Sequence, residues 1–467
     1  MRFSVGILHL FVAGSVARRP PYNEKVVERD VVIIGGGSSG TYAAVRLKEE
    51  GKSVVVLEKE DHLGGHTVTY TDPDTHQPFN LGVVVFHDSP IVRNYFATFG
   101  VAVNTAGFSA LNTAYYDFST GRAVNGFTPA SQQASGAAVQ KYAQIIATKY
   151  PYLALGYDLP DPVPKELLAP YSEFIEANGL QDMVQLVNSI AGCNGNLLER
   201  PTLYGIKVFG LLLIQTLSTG FINAASGDNL DLYRGAQHFL GQNVVYNADV
   251  RKIKRSHDSV QVWVNTPKGK ILVKAKKLVL AIPPLKEYLQ DIGLDMTQEE
   301  SDLFCKFKGF LYGSAVFEYS GIGTKTAYTN IGTNTPSNLL KLPGSYTINP
   351  LVGKVATNKI SSYIGGLDPS MTKKEVKLLI EKELGNLAKA GNIGHGKAHF
   401  KFYSDHAPYH IHVSANDIKQ GFYKKLYALE GKTNTFWTGA AFVDNDSTLI
   451  WTWTEAYLLP LISQALK

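Results

Sequence analysis

Residues 30–40 read Asp30-Val31-Val32-Ile33-Ile34-Gly35-Gly36-Gly37-Ser38-Ser39-Gly40, and this stretch decides the fold. Its apolar run 31–34 predicts a buried parallel strand, and residues 38–50 predict the helix that follows. Gly35 allows the tight turn between them, Gly37 lets backbone N–H groups approach a pyrophosphate, and Gly40 lets the helix pack close to the strand. Since the N-terminus of such a helix attracts phosphate, the stretch predicts a dinucleotide site.

Two segments that follow fit the same kind of ligand. Residues 53–58 predict a second strand ending in Glu58, where a carboxylate would accept hydrogen bonds from a ribose. The pair Gly64-Gly65 suits a second close approach of the backbone to a long, bent cofactor. The middle of the chain carries no second GxGxxG, which enzymes with two dinucleotide domains have there. These observations predict FAD rather than NAD.

Length and composition place the chain among large globular proteins. It has 467 residues, of which 45% are hydrophobic and 18% charged, so it can bury a large core in two or three domains. The net charge of +5 is small for this length, and no dense Lys/Arg run is present. A nucleic-acid partner is therefore not expected.

The first residues predict a targeting segment. Arg2 precedes the short apolar stretch 3–14, and small residues follow at 15–17, as in a secretory signal peptide. We expect a signal peptide at 1–17, a linker at 18–27, and a protein of the secretory pathway or the extracellular space. The apolar run 208–217 is too short to span a bilayer and predicts a core helix, so no stable membrane anchor is expected.

Changes in pattern along the chain predict two interleaved domains of an α/β protein. Residues 91–230 are mostly helical in pattern, short β-rich runs begin after 243, and the alternation in 300–365 predicts an antiparallel sheet. Cys193 and Cys305 could form one disulfide or remain buried thiols. The predicted Rossmann-like FAD-binding domain, with its parallel sheet, takes residues 28–90, 231–299 and 413–467. The predicted mixed α+β substrate or cap domain takes residues 91–230 and 300–412.

The second glycine pair carries a family resemblance. The stretch Gly64-Gly65-His66-Thr67-Val68-Thr69 resembles the Gly-Gly-Arg-x-x-Thr motif of the flavin-containing amine oxidase superfamily. The resemblance continues in Asn80-Leu81-Gly82, in 278–284 and in Trp437-Thr438-Gly439-Ala440-Ala441; it covers the dinucleotide domain well and the cap poorly. The signal-like start, Gly-Gly-His and the tail 447–451 resemble the fungal beta-cyclopiazonate dehydrogenase family. Its members oxidise, and often cyclise, terpenoid or indole metabolites.

The resemblance implies an amine-oxidase-like fold and a set of FAD contacts. Those contacts fall on Gly35, Gly37, Ser39, Gly40, Glu58, Gly64, Gly65, His66, Val250, Gly439, Thr448 and Leu449. His66 stands where the parent motif has Arg, and the tail contains no Cys, which excludes a cysteinyl link to the flavin. Because some relatives tether flavin through histidine, His66 is a candidate for a covalent bond to the flavin 8α carbon; the alternative is a hydrogen-bonding residue near the flavin.

Candidate catalytic residues follow from the same resemblance. His87, at the end of a predicted strand, stands where polyamine-oxidising relatives place a pocket residue and could act as a general base; the alternative is a loop histidine bonded to Asp88. Lys308, or else Lys306, could supply the flavin-facing lysine of many amine oxidases. The predicted final helix would direct N–H groups near Thr448–Leu449 at the flavin. Trp451 and Trp453 could wall the cavity or belong to the core, and the histidines at 395–412 predict no metal site.

The chain is therefore expected to be an FAD-dependent oxidoreductase. The predicted substrate is a small apolar specialised metabolite that loses a hydride to flavin N5, with ring closure as a further expected outcome, and oxygen or another acceptor then receives the electrons. Three alternatives stay open: a flavin-dependent double-bond isomerase of unsaturated fatty acids, an amine or polyamine oxidase, and a non-enzymatic flavin-binding protein.

Overall fold

The computed structural model describes residues 25–107, 111–192 and 194–467. The predicted signal peptide at 1–17 and Cys193 lie outside these ranges, so secretory targeting stays a prediction. The predicted linker 18–27 extends too far, because residues 25–27 already belong to the first strand. In the part of the chain that the structure describes, Cys305 is an exposed free thiol.

The strands of the described residues are β1 (Lys25–Ile34), β2 (Val54–Leu57), β3 (Thr69–Thr71), β4 (Pro78–Asn80), β5 (Phe86–His87), β6 (Val103–Thr105), β7 (Asn112–Tyr116), β8 (Phe221–Ala224), β9 (Val244–Val245), β10 (Asp249–Arg255), β11 (Val260–Thr266), β12 (Gly269–Leu280), β13 (Lys308–Glu318), β14 (Thr326–Asn330), β15 (Gly344–Pro350), β16 (Lys359–Gly366), β17 (His399–Asp405), β18 (Tyr409–His412) and β19 (Thr435–Trp437).

The α-helices of the same residues are α1 (Ser38–Glu49), α2 (Pro90–Thr98), α3 (Gln132–Lys149), α4 (Lys165–Leu168), α5 (Tyr171–Asn178), α6 (Val184–Ile190), α7 (Thr202–Val208), α8 (Leu211–Thr219), α9 (Leu230–Leu240), α10 (Lys286–Asp291), α11 (Gln298–Phe304), α12 (Lys373–Lys389), α13 (Ala415–Lys419), α14 (Phe422–Tyr427), α15 (Ser447–Trp453) and α16 (Leu459–Ala465). A π-helical turn, Thr454–Leu458, joins the last two into one continuous helix.

The first sheet has the predicted strand β1 at its centre. Its order is β10-β11-β12-β1-β2-β9, with β19 also paired to β12. Strands β2 and β12 flank β1 in parallel, and residues 31–34 of β1 are buried, as the apolar run predicts. Burying each such Val or Ile side chain contributes about 1.5–3 kcal/mol to stability. The predicted α/β class is confirmed.

Strand β12 differs from the sequence prediction. The sequence predicts short β-rich runs after 243, whereas in this region one long strand runs from Gly269 to Leu280. Its first half pairs with antiparallel β11 and its last residues pair with parallel β19. The intervening Lys276 forms an ion pair with Asp30 at 2.8 Å, so the charged stretch continues the strand instead of interrupting it.

The second sheet is antiparallel over most of its width, as 300–365 predicts. Its order is β17-β13-β16-β15-β14-β7, and β18 pairs with the start of β13. Strand β7, from the mostly helical region 91–230, joins β14 in parallel. Helix α12 begins at a capping box formed by Thr372 and Glu375, and its apolar face packs on the sheet.

The apolar run 208–217 does not form the predicted core helix. It is divided between α7, which ends at Val208, and α8, of whose residues Thr216 is the one that is buried. Among the described residues, Thr202–Thr219 is the one stretch with the length and composition of a membrane span. Much of α8 instead lines the cavity described below.

The carboxyl-terminal helix docks on α1. Ser38 Oγ donates to Ser447 Oγ at 3.0 Å, and the indole N–H of Trp451 donates to Ser38 Oγ at 3.0 Å. The Trp451 ring stacks on Tyr42 with 5.4 Å between centroids. Trp451 and Trp453 are both buried, and neither is among the described residues that line the cavity. Both tryptophans therefore belong to the core, the second of the two alternatives.

Candidate active site

The three glycines Gly35, Gly37 and Gly40, in the turn between β1 and α1, differ in what surrounds them. Gly35 has φ +103°, and a Cβ there would lie 2.7 Å from the carbonyl oxygen of Ala281. A Cβ at Gly40 would lie 2.0 Å from the carbonyl oxygen of Gly35, so the helix could not approach the strand. A Cβ at Gly37 would meet nothing nearer than Gly65 Cα at 3.7 Å. The fold thus requires Gly35 and Gly40, whereas Gly37 leaves open space where a ligand can approach.

The second glycine pair lies directly against this turn. The Gly64 N–H donates to the Gly36 carbonyl at 2.9 Å. A Cβ on Gly65, which has φ +54°, would lie 2.9 Å from Gly37 Cα. Two backbones without side chains therefore face each other, which is the arrangement that lets a pyrophosphate lie close to amide groups.

Glu58 follows β2 and is buried beside the turn. Its Oε2 accepts a hydrogen bond from the Gly36 N–H at 2.5 Å, and its Oε1 accepts one from the Glu60 N–H at 2.8 Å. Its backbone carbonyl accepts the Ala248 N–H at 2.8 Å, which brings the start of β10, with Val250, alongside. The carboxylate is thereby held at the carboxyl end of the parallel strands, where a ribose binds in folds of this kind.

The segment that follows β19, with Thr438 and Gly439, lies on the other side of the turn and also bears on whether a dinucleotide fits. Gly439 follows β19 with φ +113°, and a Cβ there would lie 3.4 Å from Ser39 Oγ. The neighbouring Thr438 hydroxyl is buried and has no hydrogen-bond partner among the described residues. A buried polar group of this kind needs a partner, and a phosphate or ribose oxygen would supply one. The glycine cradle and the unpaired hydroxyl both fit FAD.

A cavity of about 1010 Å³ adjoins this region. One wall is the apolar face of α8, with Leu211, Leu213 and Leu217, and another is the segment 82–87. Tyrosines of the second sheet and of β18 form a third wall, and Ser447, Thr448 and Leu449 of α15 form the fourth. The cavity therefore lies between the second sheet and the helices α8 and α15, with apolar groups over most of its surface.

His87 is buried at the cavity wall and is bonded through both ring nitrogens. Its Nε2 lies 2.5 Å from Asp446 Oδ2, and its Nδ1 lies 2.6 Å from Thr216 Oγ1. Asp88 instead pairs with Arg93, so the alternative of a loop histidine bonded to Asp88 is wrong. The hydrogen bond from His87 holds the pKa of Asp446 below its usual range against the opposing effect of burial.

The partners of His87 limit its hydrogen-bond directions. Thr216 can donate its one hydroxyl proton to the Leu212 carbonyl at 2.8 Å or to His87 Nδ1 at 2.6 Å, so the direction of the bond at Nδ1 follows the tautomer of His87. The hydrogen bond from His87 keeps the Asp446 carboxylate an acceptor, so it takes the proton on His87 Nε2. His87 is thereby fixed between a carboxylate and a hydroxyl group at the cavity wall, and its role as a general base stays a prediction.

Asp446 also caps the helix that was expected to direct free N–H groups at the flavin. Its Oδ1 accepts the Leu449 N–H at 2.9 Å. The Leu449 amide is therefore already bonded within the protein. Thr448 and Leu449 still line the cavity through their side chains.

Two further predicted residues have different surroundings. Lys308 is exposed at the first position of β13, and it is not among the described residues that line the cavity. Lys306 forms an ion pair with Asp417 at 3.0 Å. The structure gives the flavin-facing lysine no support. The His66 side chain is accessible and lies against His406 and Tyr409, with ring centroids 4.9 and 5.9 Å away.

Known proteins resemble the chain over nearly its whole length. The family described as NAD(P)-binding Rossmann-like domain matches residues 33–99. The FAD-dependent oxidoreductase oblC of Cochliobolus heterostrophus is 36% identical over 447 residues, covering 94% of this chain and 92% of that protein. Beta-cyclopiazonate dehydrogenase of Aspergillus flavus is 33% identical over 439 residues, covering 92% of each chain. The chain belongs to this family of FAD-dependent oxidoreductases.

Solved structures confirm the amine-oxidase-like fold of this FAD-dependent oxidoreductase. A double mutant of putrescine oxidase has a TM-score of 0.63 at 16% identity, and cyclohexylamine oxidase from Brevibacterium oxydans has 0.62 at 14%; each comparison covers 94% of this chain and all of the other. A CLA-producing fatty acid isomerase from P. acnes has a TM-score of 0.75 at 20% identity, covering 92% and 98% of the two chains. At such identities the likeness shows the fold alone.

The sequence prediction missed the partners of His87 and a polar group farther along the cavity wall. Asp446 carries a local signal, because an Asp immediately before a helical segment is a preferred N-cap. Thr216 has no such signal, since it lies in an apolar run. His410 and Asp444 line the cavity together, although nothing in the sequence connects them.

Proposed function

We propose that this FAD-dependent oxidoreductase oxidises a small, largely apolar specialised metabolite, with FAD supplying the acceptor for a hydride. The observation that carries the proposal is the cavity of about 1010 Å³ beside the glycine cradle, walled by α8 and by tyrosines. Ligand sites for molecules of drug size measure about 300–1,000 Å³ and are mostly apolar. The volume suits a polycyclic metabolite better than a short diamine.

The protein's own contribution is to orient the substrate and to exclude water. The apolar side chains of α8 desolvate whatever enters, which strengthens the remaining electrostatic interactions. The His87–Asp446 pair is fixed on both sides by Thr216 and by the Leu449 amide, so it does not need to reorganise during a turnover. His87 is thereby held in one orientation at the cavity wall.

Anaerobic reduction of the flavin tests this proposal. Fractions of an apolar metabolite extract from the source organism, mixed with holoenzyme, should bleach the visible flavin absorption, and the product of the active fraction should have two hydrogen atoms fewer. Analysis of that product also decides whether a ring has closed. Putrescine and cyclohexylamine serve as controls for amine oxidation. Reduction by the amines together with inactivity of every apolar fraction would contradict the proposal.

The apolar face of α8 also supports a second candidate, the double-bond isomerase of unsaturated fatty acids. An acyl chain could lie along Leu211, Leu213 and Leu217. Isomerisation leaves the redox state of the substrate unchanged, whereas oxidation consumes one acceptor for each product. The ratio of oxygen consumed to product formed therefore separates them: a ratio near zero favours isomerisation, and a ratio near one favours oxidation.

We further propose that His66 carries the flavin covalently. The support is an accessible imidazole between the glycine cradle and the tyrosine wall. After acid precipitation the wild-type pellet should stay yellow, whereas His66→Arg, which restores the residue of the parent motif, should release its flavin to the supernatant. A colourless wild-type pellet would refute the covalent bond.

A further inference from the structure

The far wall of the apolar cavity contains one polar corner. His410 and Asp444 line the cavity there, with relative exposures of 2% and 6%. Two buried cations lie near them: Arg200 contacts His410, and Lys207 is another residue of the cavity wall. Neither the His87–Asp446 pair nor the glycine cradle includes these groups.

The partner of His410 fixes the position of its proton. Arg200 Nη2 lies 2.9 Å from His410 Nδ1, and a guanidinium can only donate. Nδ1 of His410 is therefore the acceptor, and the proton of the neutral ring is on Nε2. Burial and the neighbouring Arg200 lower the pKa of His410, which keeps the ring neutral. The ring thus presents an N–H donor at Nε2.

That donor lacks a good partner within the described chain. His410 Nε2 forms no hydrogen bond, and its nearest carboxylate oxygen, Asp444 Oδ1, lies 3.5 Å away. His410 also has φ +49°, a conformation that non-glycine residues rarely adopt and that persists only where the surroundings impose it. A buried donor without a partner needs an explanation, and a ligand group in the adjoining cavity would supply the missing acceptor.

Asp444 has a backbone partner, the N–H of Asn445, which leaves further acceptor positions of its carboxylate open. The ammonium of Lys207 donates to the carbonyls of Leu153, Leu155 and Gly156 at 3.1 to 3.2 Å, so it neutralises the corner without bonding the carboxylate. Burial raises the pKa of Asp444 to about 7. Arg200 is held by the faces of Tyr204 and Phe310, at 4.7 and 5.2 Å from the ring centroids. The carboxylate of Asp444 can therefore accept a hydrogen bond from a group in the cavity.

We infer that His410 and Asp444 form a subsite for a hydroxyl group of the substrate. The hydroxyl oxygen accepts the His410 Nε2–H and donates its proton to the Asp444 carboxylate. One oxygen reaches both groups, because they are 3.5 Å apart and hydrogen bonds span about 2.7–3.0 Å. The inference rests on the proposed function, to which it adds the substrate class: an apolar metabolite with one hydroxyl anchored at this corner.

Other polar groups fit the corner less well. An ammonium group has no acceptor to offer the His410 N–H, and it would be repelled by Arg200 and Lys207. A carboxylate can accept the His410 N–H but has no proton to donate to the Asp444 carboxylate. A hydroxyl group both donates and accepts, and so it satisfies the unpaired His410 N–H and an open acceptor position of Asp444 at once.

Matched bicyclic probes test the subsite without knowledge of the natural substrate. Holoenzyme is titrated with β-naphthol, its methyl ether and naphthalene, above the pKa of Asp444, while the visible flavin spectrum and the binding heat are recorded. Wild-type protein should bind β-naphthol about tenfold or more tightly than the ether, since a hydrogen bond to a charged group contributes at least that much. Asp444→Asn and His410→Asn should reduce this preference to within about twofold while retaining naphthalene binding.

The variants are chosen to separate binding from folding. Asn has the shape of Asp, and Asn is also tolerated at the positive φ of His410. Asp258→Asn, at an exposed position, is the control that should keep the wild-type preference. Equal binding of β-naphthol and its ether by the wild type, or an unchanged preference in Asp444→Asn, would overturn the subsite. Failure of all three probes to bind would instead overturn the apolar cavity of the proposed function.

Discussion

Replacing Gly37 by Ala should remove FAD and leave the fold intact. The new Cβ would have Gly65 Cα as its nearest contact, at 3.7 Å, and Gly37 has φ −73°, which any residue adopts. The apoprotein should therefore lose only about 1 kcal/mol of stability, because Gly is preferred to Ala at a helix N-cap.

The effect on FAD is larger because the methyl group occupies the space that the pyrophosphate needs. Forcing a methyl group against a packed surface costs about 1–3 kcal/mol, and loss of a hydrogen bond to a charged group adds about 1.5–3 kcal/mol. The sum, about 2.5–6 kcal/mol, corresponds to roughly a hundredfold or greater loss of FAD affinity. Gly37→Val should be obtained as apoprotein.

The assay combines the flavin-to-protein ratio of the purified protein with its thermal unfolding. Gly40→Ala is the contrasting variant: its Cβ would lie 2.0 Å from the Gly35 carbonyl oxygen, so it should lose several kcal/mol of stability, about 3 or more. Gly136→Ala, in the open on α3, should keep its flavin and gain about 0.5–1 kcal/mol. Full flavin occupancy in Gly37→Ala, or unfolding as severe as that of Gly40→Ala, would refute the placement of the pyrophosphate.

Two further predictions concern stability. Burial lowers the pKa of His406 to about 3, so the folded protein keeps this ring neutral while the unfolded chain takes up a proton below pH 6.5, and folding stability falls as the pH falls. Between pH 6.5 and about 5, the free energy of unfolding of the wild type should decrease by about 2 kcal/mol more than that of His406→Phe. Urea unfolding at both pH values measures this, and an equal decrease in the two proteins would contradict it. Glu300 forms a buried ion pair with Arg255 at 2.7 Å, so Glu300→Gln should cost about 3–5 kcal/mol in thermal or urea unfolding. Glu299→Gln, at a half-exposed neighbouring position, should cost less than about 1 kcal/mol, and equal losses would count against the buried pair.

The glycine turn could be predicted because its main constraints are local. Gly40 is required by its contact with the Gly35 carbonyl, Gly35 also has a positive φ, and strand–turn–helix units of this kind recur with one sequence pattern. The contact between Gly35 and Ala281, which is distant in sequence, adds to a requirement that the turn already imposes. The helix α12 was predictable for a similar reason, since its cap and its periodicity lie in consecutive residues. Because the local sequence signals agree with one another, the glycine turn and helix α12 can be predicted from the sequence.

The chemistry of the cavity depends on contacts that no local signal contains. His87 was a candidate from the sequence, but its partner Asp446 lies 359 residues away, so no local pattern could show that its ring is bonded within the protein. The apolar run 208–217 predicts burial because apolar helices are usually packed on all sides. Here a ligand cavity takes the place of neighbouring side chains, so a helix of core-like composition has an open face.

The arrangement of β19 and α15 beside the glycine turn sets the order of events during biosynthesis. The ribosome makes the glycine turn early, whereas Trp451, whose indole donates to Ser38, lies 413 positions later in the chain, and Gly439 is also made long after the turn. A nascent chain stalled before these residues would hold half of the site and would bind flavin weakly. Tight binding of the cofactor must therefore wait until β19 and α15 have been made and have folded onto the turn.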